Sequence, residues 1–168
     1  MLQVKQEKGV TLVELLIVVV ILGILASVAG NLLIGGIRFW RLSRARTEIQ
    51  RDARTCLDLI HRELRQAEAS SIVVDRLDDQ QPPCSQISFT KVVTGDAIIY
   101  SQEGAKLSRS INGTKNFLAE NLRHITFVYP RTDDEKIIAI SLCFEKETYG
   151  GGEKSLHLSV EKVRIMND

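Results

Sequence analysis

GVTLVELLIVVVILGILASVAGNLLIGGI, residues 9–37, carries a single charge, Glu14, near its start. From Leu15 to Gly30 nothing is charged, and adding Val10–Val13 gives about the 20 residues that a membrane-crossing helix needs. A buried soluble helix rarely shows so long an all-round apolar run. The stretch follows a short polar segment, MLQVKQEKG, with Lys5 and Lys8. In an ordinary secretory signal the cut falls after the apolar core, at a small-residue site. Here the small residue, Gly9, stands before it. A cut after Gly9 leaves the apolar stretch on the mature protein, with a free amine on Val10. Glu14 lies four residues beyond Val10, one helical turn away on the same face. A carboxylate at membrane depth is unfavourable by a few kcal/mol and is expected to have a function or a partner. The free amine of a neighbouring chain is such a partner.

Past residue 37 the periodicity changes. Leu42, Ala45, Ile49, Ala53, Cys56, Leu57, Ile60, Leu64 and Ala67 recur at three- and four-residue steps between charged residues, which predicts an amphipathic helix over 38–69. No proline precedes Pro82, so one helix from Val10 to about Ala69 is allowed, with Gly30, Asn31, Gly35 and Gly36 as a place where it can loosen. Residues 38–69 hold eight Arg and five acids, a local +3, against twelve basic and fourteen acidic groups, a local −2, in residues 70–168. The basic stretch reads first as a solvated helix face and second as a surface for phospholipid headgroups. A net charge of +1 gives no reason to expect nucleic acid as a partner.

After Ser70-Ser71 the pattern is β. Strands are expected at 87–92, 97–102, 106–111, 124–129, 137–144 and 156–165, with clear alternation at Ile138, Ile140, Leu142, Phe144 and at Leu156, Leu158, Val160. Glu103-Gly104 and Asn112-Gly113 are hairpin turn signals. The expected architecture is α+β: a long N-terminal helix whose amphipathic half covers an antiparallel sheet. The chain divides into 1–9, a leader; 10–37, a membrane and assembly helix; 38–69, the amphipathic helix; and 70–168, a β-rich head.

The cysteines, Cys56, Cys84 and Cys143, fit neither a disulfide framework nor a zinc spacing. In an oxidising compartment one bridge and one thiol is the natural accounting. Cys56 lies on the helix stripe and reads as a small core residue, leaving Cys84 and Cys143 as the expected pair. Gly150-Gly151-Gly152-Glu153-Lys154-Ser155 lacks the Gly-Lys step and the following helix of a phosphate-binding loop. His61, His124 and His157 belong to no ligand pair, and no nucleophile signature is present. Asp133-Asp134-Glu135 reads as an acidic turn before it reads as a calcium site. Neither an enzyme activity, a cofactor nor a metal is expected.

The layout Gly9, Thr11, Leu12, Val13, Glu14 followed by an apolar run resembles the class III signal of type IV pilins and pseudopilins. The departure is Val10, where that family usually has phenylalanine. The resemblance implies cleavage between Gly9 and Val10 by a prepilin peptidase, N-methylation of Val10, and Glu14 as the assembly residue. It also implies a bacterial inner-membrane protein, single-pass, with leader cytoplasmic and head periplasmic, that moves into a filament. Partners would be the peptidase, other pilins or pseudopilins and an inner-membrane assembly platform. Arg38, Arg41, Arg44 and Arg46 against Lys5 and Lys8 favour the opposite orientation by charge count; the resemblance decides for the leader inside. Tyr100, Gly104, Leu107, Arg109, Leu118, Leu122, Phe127 and Tyr129 resemble the strand pattern of J-type minor pseudopilins of type II secretion and W-type minor pilins. The rival from another class is a periplasmic binding or sensor domain on an uncleaved anchor.

Overall fold

The computed structural model describes residues 9–131, 134, 136–148 and 154–167. The leader before Gly9, Asp133 and Glu135 of the acidic turn, and the glycines of residues 150–152 lie outside the described residues. The chain forms two compact units, Met1–Arg41 and Leu42–Asp168, and one helix, α1 (Leu12–Leu64), contributes to both. The glycines at 30, 35 and 36 leave the helix unbroken, because intrahelical hydrogen bonds continue across them.

In the second unit, α1 buries Ala45, Ile49, Ala53, Cys56, Leu57, Ile60 and Leu64, the stripe expected from the periodicity. Eight strands follow: β1 (Val73–Asp75), β2 (Gln86–Thr90), β3 (Ala97–Glu103), β4 (Lys106–Ile111), β5 (Thr114–Glu120), β6 (Leu122–Val128), β7 (Ile137–Glu147) and β8 (Lys154–Arg164). They form two antiparallel sheets, β1-β2-β3-β4-β5 and β6-β7-β8, each in chain order. The Asn112-Gly113 signal is a true hairpin turn. Both residues take positive φ, 48° and 88°, as the right-handed strand twist requires of a two-residue turn. The β3–β4 turn is Gly104-Ala105, one residue later than expected, with Gly104 at φ 57°.

Where one sheet was expected there are two, and a single residue makes the break. Asn121, at φ 63°, is all that separates β5 from β6 and turns the chain out of the first ladder. The sheets are then joined by a buried amide. Gln102 on β3 donates to the carbonyl of Arg123 at 3.1 Å and accepts from the N–H of Ile125 at 3.1 Å, both on β6. Backbone bonds from Leu122 to Ala105 (2.9 Å) and from Phe127 to Cys84 (2.8 Å) extend the seam. The shared core beneath α1 holds Ile87, Ile98, Tyr100, Leu107, Phe127, Ile138, Ile140 and Phe144.

At the centre of that core is a charge. Glu63, only 3 % exposed, lies on the stripe of α1. Its carboxylate accepts from Lys91 Nζ at 2.8 Å, from Arg109 Nε at 3.1 Å, from a second Arg109 nitrogen and from the Tyr100 hydroxyl. Tyr100 and Arg109 face each other across β3 and β4 in register, so one ladder rung supplies two of the three partners. Burial alone would push the Glu63 carboxyl up, but the hydrogen bonds from Lys91, Tyr100 and Arg109 outweigh it and hold it below the usual carboxylate range. Burial, then the hydrogen bond to Glu63, pushes the Tyr100 phenol well up.

The expected Cys84–Cys143 bridge is corrected by the register. All three cysteines are free. Cys84 binds Phe127 of β6 through its carbonyl, on the side away from β7, whereas Cys143 pairs with His124, three residues along β6. Two strand spacings and three residues of rise put their Cα atoms on the order of 14 Å apart. A disulfide spans at most about 7 Å. Burial, then the nearby Asp52 carboxylate, pushes the Cys56 thiol up to about 12, so the core cysteine is a small apolar residue as expected.

Truncating Glu63 leaves two half-buried cations, Lys91 and Arg109, facing an empty site. Glu63→Ala is expected to cost the head about 3–5 kcal/mol, the range for breaking a buried pair. Because the folded carboxyl is depressed, its contribution is full above the unfolded value of about 4.3 and is lost as pH falls through the folded value. Urea unfolding of the full chain in detergent, followed by tyrosine near-UV circular dichroism, should therefore show the Ala variant losing less stability than wild type on acidification.

Candidate functional site

The first unit presents an N-terminal segment and an apolar helix face. Gly9 has no heavy atom within 4 Å of where a Cβ would stand, and Val10 is 75 % exposed. Thr11 stands just before the helix, where the first N–H groups have no intrahelical acceptor. Its hydroxyl accepts from the Glu14 N–H at 3.3 Å, and the Glu14 carboxylate reaches back to the Thr11 N–H at 3.3 Å. This is a reciprocal capping box, and the negative charge also suits the helix N-terminus. The expected assembly residue therefore has a second task within its own chain. Thr11-x-x-Glu14 was the signal for it in the sequence.

Farther along, the polar side chains within the apolar run turn back onto their own helix. Ser27 donates to the carbonyl of Ile24 at 2.8 Å, and Asn31 donates to that of Ser27 at 3.5 Å. Such back-bonding is how a hydroxyl or amide is satisfied in hydrocarbon. Gly23, Ser27, Asn31 and Gly35 recur every four residues and form one ridge of small or polar side chains. A Cβ built at Gly23, Gly30, Gly35 or Gly36 meets nothing within 4 Å. Small residues on such a ridge let a second helix approach closely in a membrane, where packing rather than apolar burial drives association. The apolar side chains from Leu12 to Ile37 are exposed in the isolated chain, and the helix is long and apolar enough to cross a membrane.

The structure thus brings Thr11 and Glu14 together next to the expected cut, and keeps Cys84 and Cys143 apart. Among the described residues no three His, Cys, Asp or Glu side chains gather as a metal-ligating group. Of the residues of the expected strand pattern, Tyr100 and Arg109 join the Glu63 cluster, Leu107, Leu122 and Phe127 are core, and Tyr129 is 37 % exposed. Glu63 itself escaped the sequence reading. It sits three residues after Ile60 and four before Ala67, and an acid on an apolar stripe was the available signal.

Residues 4–30 match the family model described as the prokaryotic N-terminal methylation motif. The match takes in Gly9, Val10, Thr11 and Glu14 and most of the apolar run. Compared with curated proteins and with solved structures, the chain gives no significant match.

The capping box has a measurable consequence. Thr11→Val removes the hydroxyl that caps Glu14 and should weaken the first turn by about 1 kcal/mol. Amide hydrogen exchange at Leu12–Leu15 in detergent micelles should quicken roughly five-fold, with the head unaffected.

Proposed function

We propose that this chain, a type IV pilin-like protein by its N-terminal methylation motif, is a minor pilin or pseudopilin: a structural subunit and not an enzyme. A prepilin peptidase cuts between Gly9 and Val10, and the new Val10 amine is methylated. The subunit waits in the inner membrane with its head in the periplasm, and an assembly platform then moves it into a filament. The observation that carries this reading is the combination of the motif with a helix whose apolar half is fully exposed. Such a surface has two suitable environments, lipid and a bundle of similar helices. Leaving one for the other brings little hydrophobic gain, so selection must come from packing on the small-residue ridge and from Glu14 meeting a neighbour's amine. The strand pattern around Tyr100 and Arg109 favours a J-type or W-type head within this class.

Co-expression with a prepilin peptidase should yield a mature chain beginning at Val10, one methyl group heavier than the bare sequence by mass spectrometry. Gly9→Val should block the cut and leave membrane insertion intact. An intact leader in the presence of active peptidase overturns the reading.

Glu14 needs two variants, because its charge and its capping bonds are separable. Glu14→Gln keeps the capping geometry, since glutamine serves in the same box, and loses only the charge. Glu14→Val loses both. Recovery in sheared filaments, measured against total membrane protein, should fall to the unassembled background for both variants. If Glu14→Gln assembles like wild type, the charge is not the assembly determinant, and failure of Glu14→Val alone then assigns that role to the capping bonds.

A further inference from the structure

The end of the apolar helix opposite Glu14 carries a cluster that the assembly reading leaves unused. Directly after Ile37 come Arg38, Phe39, Trp40 and Arg41, all helical. Phe39 is 73 % exposed and Trp40 is 60 % exposed, so both rings face outward from the helix. Amphipathic tryptophan in particular settles at the level of lipid headgroups. Arg38 and Arg41 stand three residues apart on a helix, so their Cβ atoms are neighbours on one face. Guanidinium groups match the oxygens of a phosphate in pairs.

We infer that Arg38, Trp40 and Arg41 form a collar that binds anionic phospholipid headgroups and thereby fixes the depth of the helix in the bilayer. The inference rests on the membrane-anchored reading above and adds a ligand to it. Length supports the second half. From Leu12 to Ile37 the helix rises about 39 Å at 1.5 Å per residue. The hydrocarbon core is about 30 Å thick, and about 40–45 Å with both headgroup layers. The apolar stretch is therefore longer than the core, and its depth is undetermined unless one end is pinned. With Arg38 among the headgroups on one side, Glu14 lies about 36 Å away along the helix. A tilt of about 20° shortens this to about 34 Å, which still exceeds the hydrocarbon thickness with Arg38 at the inner edge of its headgroup layer. The collar thus holds Glu14 and the Gly9–Val10 bond in a hydrated layer. A free carboxylate costs little there, and a peptidase can reach the peptide bond.

Trp40 is the only tryptophan in the chain, so its fluorescence reports the collar alone. The full-length chain would be reconstituted in phosphatidylcholine vesicles containing equal mole fractions of either dibrominated phosphatidylglycerol or dibrominated phosphatidylcholine. The brominated acyl chains quench a tryptophan they touch. The expected result is a relative binding constant for phosphatidylglycerol over phosphatidylcholine of about five-fold or more, the contribution of one or two arginines at a charged surface. It should fall towards one in 0.5 M salt (roughly a 4 Å screening length). Arg38→Gln/Arg41→Gln should abolish it, with unchanged circular dichroism as the check that the chain is folded. A constant of one in wild type, or a preference that survives the double substitution, overturns the collar. Failure of the wild-type chain to float with the vesicles overturns the anchoring itself, which is a different outcome.

Discussion

A carboxylate taken out of water at Glu63 sets the terms for the rest of the head. Desolvating it is costly, and the cost is met only if Lys91, Tyr100 and Arg109 arrive together. Tyr100 and Arg109 do so only if β3 and β4 are in their observed register, because a slip of one residue would put the two side chains on opposite faces. Lys91 does so only if the chain turns after β2 as it does. One side chain on α1 therefore selects the rotation of the helix, the register of the central hairpin and the position of the following turn. Apolar contacts along Ile49, Ala53 and Ile60 supply attraction but tolerate sliding. The ion cluster does not. Specificity from a buried charge is not a general rule, and it applies here because the partners come from three separate segments.

The sequence disclosed what repeats and concealed what happens once. The helix, its stripe and the longer strands follow from periodicity over many residues, and the Asn112-Gly113 hairpin follows from a dipeptide with a specific backbone preference. β5 was missed because Thr114–Phe117 is exposed on an edge strand, where pairing with β4 holds the segment without any alternation in its side chains. β1 is three residues long and carries no pattern to detect. The division into two sheets turns on the φ of Asn121 and on the amide of Gln102, each a single event. The cysteine pairing failed for the same reason. Counting thiols ignores register, and register places Cys84 and Cys143 on opposite sides of β6.

At the N-terminus the motif was legible and its geometry was not. Gly9, Thr11 and Glu14 stand out by spacing, but spacing alone points Glu14 only to an intermolecular partner. The structure gives the carboxylate an immediate one in the Thr11 N–H. This changes the energetics of assembly. An isolated carboxylate would drive association strongly by seeking any cation. One already bonded to its own helix start gains only the difference between that bond and a new pairing, so on the proposed assembly reading Glu14 would discriminate among neighbours more than drive their union.

That difference connects the two ends of the apolar helix. If Glu14 were buried in hydrocarbon, membrane residence would be weakened by a few kcal/mol. Capped by Thr11 and held in a hydrated layer by the collar at Arg38 and Arg41, it is not under strain in the stored state. On the proposed assembly reading, extraction costs the lipid contacts of the collar and would be driven from outside, with the ridge at Gly23, Ser27, Asn31 and Gly35 available for packing against a neighbour. A storage form that is stable until it is acted upon is what the proposed subunit would require, and in this chain the means are charges at both ends of an apolar stretch, residues 15–37, that has none between them.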